Sequence, residues 1–560
     1  MEKKINVVSV CFEAMLSQKF HIYAGGLGVV QAGLLKSAGR GEWPVNMYGL
    51  GILWKQGYYD QKIGPNGMEA HYVVRHYDFL EDTGVKVTVD INGKSNTIKV
   101  WRLPPEVFKT VPCFFLDTDV DGNDGLARSI TQHLYGGNEE TRLAQEIVLG
   151  IGGVRAFEAL GIPVDLWHGH EGHALLAAIE LLRRNYKARL ASFFSDKEAI
   201  KKLTMEEKKE IKEKAFKEAC GTTRKQFVFT THTPEIAGNE FHHIDLMVAM
   251  GCFRGIPKAL ALQVGGYPFN HGMFNMTIGG FRLAKIANAV SKLHLETVCQ
   301  MWCGIGGLCP LISITNGVDE DWQFPEFVQA NTPEDIQKAH EKYQKKLFQY
   351  IECRAVKKFK EGVLTIVWAR RQTDYKRPWL MFMDWPWLKE LLLSGKIQII
   401  VAGKPHPHDR PAIIFFNWVY EKSLEVPNLA ILANYGYDQN KLLKAGCDLW
   451  LQTSRRPREA CGTSWMSATA LVMSSRDGGI LESDPDNYFP FGVDYPCAQG
   501  EQDTLDFQDF KRFLESVMNM YYNDKPQWHK KKLAAIVEKR KKFSSDRMLK
   551  EYIEMYLYKF

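Results

Sequence analysis

The 560-residue sequence lacks long apolar stretches, paired cysteines and low-complexity tracts. No apolar run approaches the roughly 18 residues of a membrane-spanning helix, so we expect no membrane segment. The 11 cysteines are scattered, and the nearest to a cluster, Cys299, Cys303 and Cys309, lack the paired spacing of a zinc site. We expect reduced thiols in a cytoplasmic protein. No signal peptide precedes the first strand-like segment, so we expect no export.

A large charge of one sign is also absent. The 71 basic and 65 acidic residues leave a net charge of only +6, with short basic runs at residues 530–532 and 539–542. Such runs are typical of solvated helix faces, so we expect no nucleic-acid partner. Residues 196–217 carry Lys and Glu at helical spacing and predict an exposed helical insertion, with a lid as the alternative.

Short apolar runs that predict buried strands alternate with stretches that predict helices. The first series of predicted strands comprises residues 5–10, 45–52, 114–118, 165–168, 227–231 and 311–315, with helices at 142–160 and 174–184. The second series begins after residue 317 and comprises residues 364–368, 397–401, 429–433, 448–452 and 470–473. This alternation indicates parallel sheets covered by helices. We predict an α/β protein of two doubly wound domains facing a central cleft, with ligands at the carboxyl ends of the strands.

A glycine-rich segment, residues 23–30, follows the first predicted strand and contains Gly26 and Gly28. Glycines let the backbone approach a ligand closely, and the N-terminus of the following helix would suit a phosphate. A tight strand-to-helix turn would have the same composition, so both interpretations stand.

A basic segment, residues 369–377, follows the first predicted strand of the second series. It contains Arg370, Arg371, Lys376 and Arg377. Four basic residues at the carboxyl end of a strand can neutralise a phosphate or a diphosphate. A basic surface loop is the alternative, and the predicted position at the cleft favours the anion site.

Glu459 stands at a predicted strand-to-helix turn, closely followed by Gly462 and Thr463. Its carboxylate could accept hydrogen bonds from sugar hydroxyls, while the N–H groups at the expected helix start would point at an anion. A carboxylate that only caps the helix would satisfy the same position.

Histidines follow two strands of the first series: His168, His170 and His173 follow one, and His232 follows the other. Histidines at such positions can bind sugar hydroxyls or act as acid or base. A metal site is the alternative, but the sequence fixes no third carboxylate ligand in space, so we expect no metal.

The order and content of these segments resemble the bacterial and archaeal α-glucan phosphorylases over nearly the whole chain. The matching blocks are residues 23–37, 49–58, 134–153, 167–173, 230–238, 288–296, 315–318, 370–377, 402–404, 455–466 and 543–552. The resemblance implies a hexosyltransferase of GT-B architecture with two Rossmann-like domains. It implies an acceptor-side domain over residues 1–317, a donor-side domain over 318–528, and a C-terminal helix over 529–560 that returns to the first domain.

The resemblance also implies roles for individual residues. Arg371 and Lys376 match the basic pair that grips the reacting phosphate, and Glu459 matches the carboxylate that holds the donor sugar. The carried-over positions are His232, Arg371, Lys376 and Glu459 for catalysis, Gly26, Gly28, Arg370, Gly462 and Thr463 for the phosphate or donor, and His168, His173 and Glu459 for the sugar.

Ser467 departs from this pattern. It ends residues 455–467, which resemble the family signature, at the position where the family has the lysine that holds pyridoxal phosphate as a Schiff base. A serine has no amine and cannot form that imine. We therefore expect no covalent pyridoxal phosphate at Ser467 and no cofactor. Trp465, His170 and Asp319 also depart from the family.

Related bacterial glycogen synthases share the GT-B cleft and lack the cofactor lysine, and their Glu-x-Cys-Gly stretch is similar to residues 459–462. We therefore expect a retaining glucosyltransferase that moves glucose from a nucleotide-diphosphate glucose to an α-1,4-glucan or maltooligosaccharide. Arg371 and Lys376 would stabilise the leaving diphosphate.

Three alternatives stay open. The first two are phosphorolysis of the glucan to glucose 1-phosphate, either without the cofactor or with pyridoxal phosphate bound non-covalently. The third is a catalytically silent glucan-binding protein. The sequence leaves open the nucleotide base, the acceptor length and the oligomeric state, for which the family's dimers offer only an analogy.

Overall fold

The computed structural model describes residues 4–195 and 203–558. Its strands are β1 (Ile5–Val10), β2 (Val45–Ile52), β3 (Asp60–Gly64), β4 (Gly67–His71), β5 (Glu81–Ile91), β6 (Lys94–Leu103), β7 (Cys113–Asp117), β8 (Leu166–His170), β9 (Phe227–Thr230), β10 (Phe241–His243), β11 (Met273–Asn275), β12 (Ala287–Ala289), β13 (Leu311–Ser313), β14 (Leu364–Ala369), β15 (Ile397–Ala402), β16 (Leu429–Leu432), β17 (Leu449–Gln452), β18 (Leu471–Ser475) and β19 (Phe489–Phe491).

The α-helices of the described residues are α1 (Gly26–Arg40), α2 (Pro105–Phe108), α3 (Gly125–Ser129), α4 (Glu139–Ile147), α5 (Gly153–Ala159), α6 (Leu175–Phe193), α7 (Met205–Arg224), α8 (Ile244–Met250), α9 (Lys258–Gly265), α10 (Met276–Leu283), α11 (Lys292–Met301), α12 (Pro325–Gln329), α13 (Pro333–Ala355), α14 (Trp385–Leu393), α15 (Arg410–Glu425), α16 (Tyr437–Gly446), α17 (Gln499–Asn523), α18 (Lys525–Lys542) and α19 (Ser545–Leu557). A π-helical turn, Val148–Gly152, joins α4 to α5. None of these helices is both long enough and apolar enough to cross a membrane.

Residues 196–202 of the predicted helical insertion lie outside the described residues. The rest of that prediction falls on α7, which packs against α6 and buries Ala215 and Phe216. One face of α7 therefore belongs to the first domain, whereas the sequence predicted an exposed excursion.

The first large sheet has nine strands in the order β13-β12-β9-β8-β1-β2-β7-β6-β5. Strands from β13 to β7 are parallel, and β6 and β5 extend the edge as an antiparallel hairpin. Residue Val7 of β1 pairs with Leu166 of β8 on one side and Met47 of β2 on the other. The chain order therefore reverses at β1, between β8 and β2, and such a reversal opens a crevice at the carboxyl ends of the strands.

The second large sheet is parallel throughout, in the order β16-β15-β14-β17-β18-β19. Counted along the chain this is the order 3-2-1-4-5-6 of dinucleotide-binding folds, with the reversal between β14 and β17. All six residues of β14 are buried, as expected for a parallel strand covered on both faces. The predicted α/β class with two doubly wound sheets is confirmed.

The chain crosses twice between the two sheets, at Val318 and at Ser544. The N–H of Val318 donates to the carbonyl of Phe543, and the N–H of Ser545 donates to the carbonyl of Val318. Helix α18 packs against α13 near the second sheet, whereas α19 packs against α1 of the first. We propose domain boundaries at residues 317/318 and near 543/544, the second lying later than the residue 529 expected from the sequence.

Candidate active site

A cavity of about 450 Å³ lies where both strand-order reversals meet. From the first sheet, Glu13 lies just after β1, and Glu171 and His173 come after β8. From the second sheet, Arg370 follows β14 and Glu459 lies beyond β17. Both halves of the wall thus come from the carboxyl ends of strands, where open α/β sheets bind ligands.

Glu13 organises the glycine segment that the sequence singled out. One carboxylate oxygen accepts hydrogen bonds from the N–H groups of Ala24 (2.7 Å) and Gly25 (2.8 Å), and the other accepts from the Tyr135 hydroxyl at 2.5 Å. The first N–H groups of the segment are therefore held by a protein carboxylate. Glu13 precedes the segment by about ten residues in the chain, so the motif itself did not reveal it.

Gly26 and Gly28 have different surroundings. Gly26 lines the cavity, and a Cβ atom there would lie 3.2 Å from the hydroxyl of Thr463, which belongs to the half of the cavity wall formed by the second sheet. Gly28 is not among the cavity-lining residues, and a Cβ there would lie 3.1 Å from Tyr23 Cβ and 3.2 Å from a Glu13 oxygen. The missing side chain of Gly28 therefore allows close packing against Tyr23 and Glu13, and its ligand role stays a prediction.

A cluster of buried charges forms one wall of the cavity. Arg370 Nη2 lies 2.5 Å from Glu459 Oε2, and Lys376 Nζ lies 3.3 Å from the same oxygen. The Ser454 hydroxyl donates to that oxygen at 2.8 Å. Burial opposes the charged carboxylate, but Arg370 and Lys376 together lower the pKa of Glu459 to about 2. Glu459 is therefore a fixed negative charge beside two cationic groups.

The four basic residues of the segment 369–377 separate into two groups. Arg370, Arg371 and Lys376 line the cavity. Arg371 is exposed, and among the described residues no carboxylate lies within 4.0 Å of its guanidinium. Arg377 instead is buried and pairs with Asp506 at 2.6 Å, so it is structural. Burial and the nearby Arg370 lower the pKa of Lys376 to about 7.

The expected helix after Glu459 is absent from the described residues. Thr463–Trp465 form a single 3₁₀ turn, and the chain then reaches β18 at Leu471. Gly462 lies before this turn with φ +75°, a conformation that favours glycine. Gly462 and Thr463 still line the cavity, but they offer no helix terminus to an anion.

His232 and His173 line the cavity, whereas His168 does not. His168 is fully buried, with Nδ1 at 2.8 Å from the Tyr556 hydroxyl and Nε2 at 2.7 Å from the Thr230 hydroxyl. Both ring nitrogens of His168 therefore have protein partners, one of them on α19, and its sugar contact stays a prediction. Burial lowers the pKa of His173 to about 3, so its ring is neutral at pH 7.

Glu171 is a cavity residue that the sequence did not single out. Its carboxylate accepts hydrogen bonds from the main-chain N–H of His232 and the hydroxyl of Thr233, both at 2.7 Å. Burial raises the pKa of Glu171 to about 7, so it can hold or release a proton near neutral pH. Behind it, His170 Nδ1 lies 3.2 Å from His232 Nε2 and fixes that ring. Burial lowers the pKa of His232 well below its usual value.

Ser467 is buried beneath the cavity wall, and a lysine contacts it. The Nζ of Lys444, on α16, donates a hydrogen bond to the Ser467 hydroxyl at 2.6 Å. Lys444 lines the cavity, and Ser467 does not. Burial, aided by the nearby Lys539 and Arg370, lowers the pKa of Lys444 to about 7. An amine is thus present beside the serine, from a helix that the family signature does not include.

In the described residues, the group of side chains that could hold a metal ion does not include His168 or the other histidines in and just after β8. Glu146, Glu240 and His242 have ligand atoms within 4.8 Å of one another. Arg142 forms a salt bridge with Glu240, and burial raises the pKa of Glu146 well above its usual value. A guanidinium already supplies the positive charge there, so these residues form a charge network.

Comparisons with known proteins bear on this site. No model of a protein family matches the chain. An uncharacterized protein of Methanocaldococcus jannaschii is 36% identical over 98% of this chain and 99% of its own length. Glycogen phosphorylase of Aquifex aeolicus is 30% identical over 96% of this chain and 83% of its own, and maltodextrin phosphorylase of Thermococcus litoralis is 29% identical over 98% and 70%.

Two Rossmann-like sheets that share a cation-lined cavity at both reversal points define a glycosyltransferase of the GT-B class. Within that class the chain belongs to the glycogen phosphorylase family, as its similarity to the Aquifex aeolicus protein over most of both chains shows.

Proposed function

We propose that this protein transfers a glucosyl unit between the end of an α-1,4-glucan and inorganic phosphate, with glucose 1-phosphate as the phosphorylated sugar. The single observation that carries the proposal is the group of three cations in the cavity wall, in which Arg370 and Lys376 pair with Glu459 and Arg371 does not. The names of the phosphorylase relatives support phosphate as the partner. The sequence favoured a nucleotide-diphosphate glucose as the donor, and the phosphorylase relatives lead us to propose phosphate in its place.

The charges of the cavity suit a phosphate leaving or attacking the anomeric carbon. Arg371 has no carboxylate partner among the described residues, so its guanidinium is available to a phosphate. Lys376 stands beside it and, with a pKa near 7, can neutralise a dianion or yield a proton. Preorganised cations in a buried site stabilise developing charge strongly, because no solvent reorganisation is needed.

On the opposite wall, Glu171 and His232 face the same cavity. A protonated carboxyl at Glu171 can donate to a glucan oxygen, and the neutral His232 ring can accept from a sugar hydroxyl. We propose that these residues bind the glucosyl unit, while Glu459 holds its hydroxyls from the phosphate side.

The residues present are compatible with pyridoxal phosphate, although Ser467 cannot bind its aldehyde. Lys444 supplies an amine at the cavity wall, and Arg371 and Lys376 supply cations for phosphate groups. When bound, that cofactor supplies a second phosphate that can exchange a proton with the substrate phosphate.

A thermal-unfolding panel tests the proposal. A ligand that binds only the folded state raises stability by about 2.7 kcal/mol at a concentration 100 times its Kd. We expect glucose 1-phosphate, and phosphate with maltooligosaccharide, to raise the unfolding temperature. Lys376→Ala should abolish turnover and weaken this shift. If maltooligosaccharide raises the unfolding temperature, phosphate and glucose 1-phosphate do not, and no turnover occurs, the protein is a silent glucan-binding protein.

A second candidate is glucosyl transfer from a nucleotide-diphosphate glucose. The specific observation in its favour is Ser467, which removes the family's cofactor amine, together with the Glu-x-Cys-Gly stretch at residues 459–462. The same panel with ADP-, UDP- and GDP-glucose separates the two candidates. A shift with one nucleotide sugar and none with glucose 1-phosphate would replace the first candidate by the second.

A further inference from the structure

We propose that Lys444 is the amine through which this cavity binds an aldehyde, and that pyridoxal phosphate is the aldehyde it takes. Lys444 Nζ lies at the cavity wall, 2.6 Å from the hydroxyl of Ser467. The amine that position 467 lacks is therefore supplied from α16, a different element of the same domain.

The surroundings of Lys444 differ from those of the other cavity lysines. Among the described residues no carboxylate lies within 4.0 Å of its Nζ, and its one hydrogen-bond acceptor is the Ser467 hydroxyl. Lys376 is instead paired with Glu459, and Lys404 donates to the carbonyl of Tyr59 at 2.6 Å. A lysine without an anionic partner can lose its proton and act as a nucleophile. Lys404 meets this condition too, but of these three cavity lysines Lys444 is the one that contacts Ser467.

Aromatic groups enclose this amine. Its Nζ lies 5.5 Å from the centroid of the Trp322 ring and 5.3 Å from that of Trp450. The pKa of Lys444 nevertheless falls to about 7, because burial and the nearby positive charge of Lys539 disfavour the ammonium. An ordinary lysine, with a pKa of about 10.4, has roughly a thousandfold less neutral amine at pH 7.

The covalent step is balanced without a further reactant. The lone pair of the neutral Nζ attacks the aldehyde carbon and forms a carbon–nitrogen bond. The aldehyde oxygen leaves as water with the two amine hydrogens, and a carbon–nitrogen double bond remains. No oxidant or reductant is required, and the Ser467 hydroxyl lies close enough to pass a proton during loss of water.

Unpartnered polar atoms in the cavity wall point to a polar ligand beside this amine. The side-chain oxygens of Asn440 and Asn316 are buried and have no hydrogen-bond partner among the described residues. Both residues line the cavity, and Asn440 lies one turn before Lys444 on α16. Buried polar atoms of this kind cost free energy unless a ligand or water satisfies them.

Mass spectrometry after chemical reduction tests the inference. The full-length protein is incubated with pyridoxal phosphate, reduced with borohydride and digested. We expect one adduct per chain, located on Lys444, with an absorbance band in the near ultraviolet or visible before reduction. Lys444→Met should lose at least nine-tenths of this adduct while keeping its circular dichroism and unfolding temperature.

Two variants guard against a trivial result. Lys532→Met removes another buried lysine that does not line the cavity and should keep the full adduct. The double variant Lys444→Met with Ser467→Lys should regain an adduct, now on residue 467. Absence of any adduct in the wild type, or an adduct on Lys376, Lys404 or surface lysines instead, would overturn the inference.

The inference concerns the same cavity as the proposed function, so its test uses adduct mass instead of turnover. If the wild type forms no adduct on Lys444 but still synthesises glucose 1-phosphate, only the role of Lys444 is wrong. An adduct on Lys444 without any glucosyl transfer removes only the proposed function.

Discussion

At the residue scale the proposed site depends on cations that share one buried carboxylate. Glu459 with its pKa near 2 stays charged, and it positions Arg370 and Lys376 without neutralising Arg371. The pKa of Lys376 near 7 means that this cation is half lost at neutral pH in the free protein. Anion binding in the cavity should therefore depend on pH.

Sulfate binding measures this dependence, because sulfate keeps its charge across pH 6–8. We expect the affinity to fall as pH rises through 7, since Lys376 loses its proton there. Between pH 6 and pH 8 the fall is about fivefold if bound sulfate raises the pKa of Lys376 by one unit. Calorimetric titration of the wild type and of Lys376→Gln with sulfate at pH 6 and pH 8 measures this fall. The variant should bind sulfate weakly, and its affinity should change less with pH. Equal profiles in both proteins would contradict the assignment.

The sequence predicted Arg370, Arg371, Lys376, Glu459 and His232 as site residues, and all five line the cavity. Each follows a strand directly or belongs to a motif, so its place was readable from strand order. Glu13, Glu171 and Lys444 also line the cavity but were not predicted. They reach it through turns and helix packing, which local composition does not specify. Lys444 in particular is 23 residues from the serine that it contacts.

At the element scale, helix α1 begins where the two sheets approach each other. A Cβ at Gly26, its first residue, would lie 3.2 Å from the Thr463 hydroxyl, whereas a Cβ at Gly25 would meet no atom within 4 Å. Gly25 has φ −153°, which any residue adopts. The two neighbouring glycines therefore form a matched pair for testing how tightly the walls must meet.

Gly26→Ala should weaken glucose 1-phosphate binding several-fold, because the added methyl group separates α1 from the turn at Thr463. Gly25→Ala should bind like the wild type. Both should unfold at nearly the wild-type temperature. Titration calorimetry checks the binding, and equal affinities for the two variants would show that this contact does not shape the site.

Helix α19 is the element that ties the end of the chain to the first domain. Met548 on this helix is fully buried, and Met205 at the start of α7 is 83% exposed. Met548→Ala should cost about 2–5 kcal/mol of local stability through the cavity it leaves. Met205→Ala should change stability by less than about 0.5 kcal/mol. Hydrogen exchange of α19 amides measures both, and unchanged exchange in Met548→Ala would contradict the docking.

Strands were more predictable than turns. The range predicted for β1 agrees with the structure at both ends, and that of β2 does too, because each is a short and mostly apolar segment. The hairpin of β5 and β6 was missed, since its half-exposed residues form no such run. The helix expected after Gly462 is one 3₁₀ turn, after which the chain continues to β18.

At the scale of the whole molecule, two sheets with the same reversal of strand order present their carboxyl ends to one cavity. The first sheet contributes Glu171 and His232, and the second contributes the cations. The paired crossings at Val318 and Ser544 join the two halves at one place. Neither half contains a complete site, so activity requires both domains of the chain.

The most direct test of this account is detection of glucose 1-phosphate formed from maltodextrin and inorganic phosphate by the purified protein. We predict that one glucose 1-phosphate forms for each glucose unit lost from the glucan. We also predict that the protein extends glucan from glucose 1-phosphate in the reverse direction, and that Lys376→Ala forms no product. Glucan elongation from a nucleotide-diphosphate glucose, with no glucose 1-phosphate formed at any phosphate concentration, would contradict the central claim.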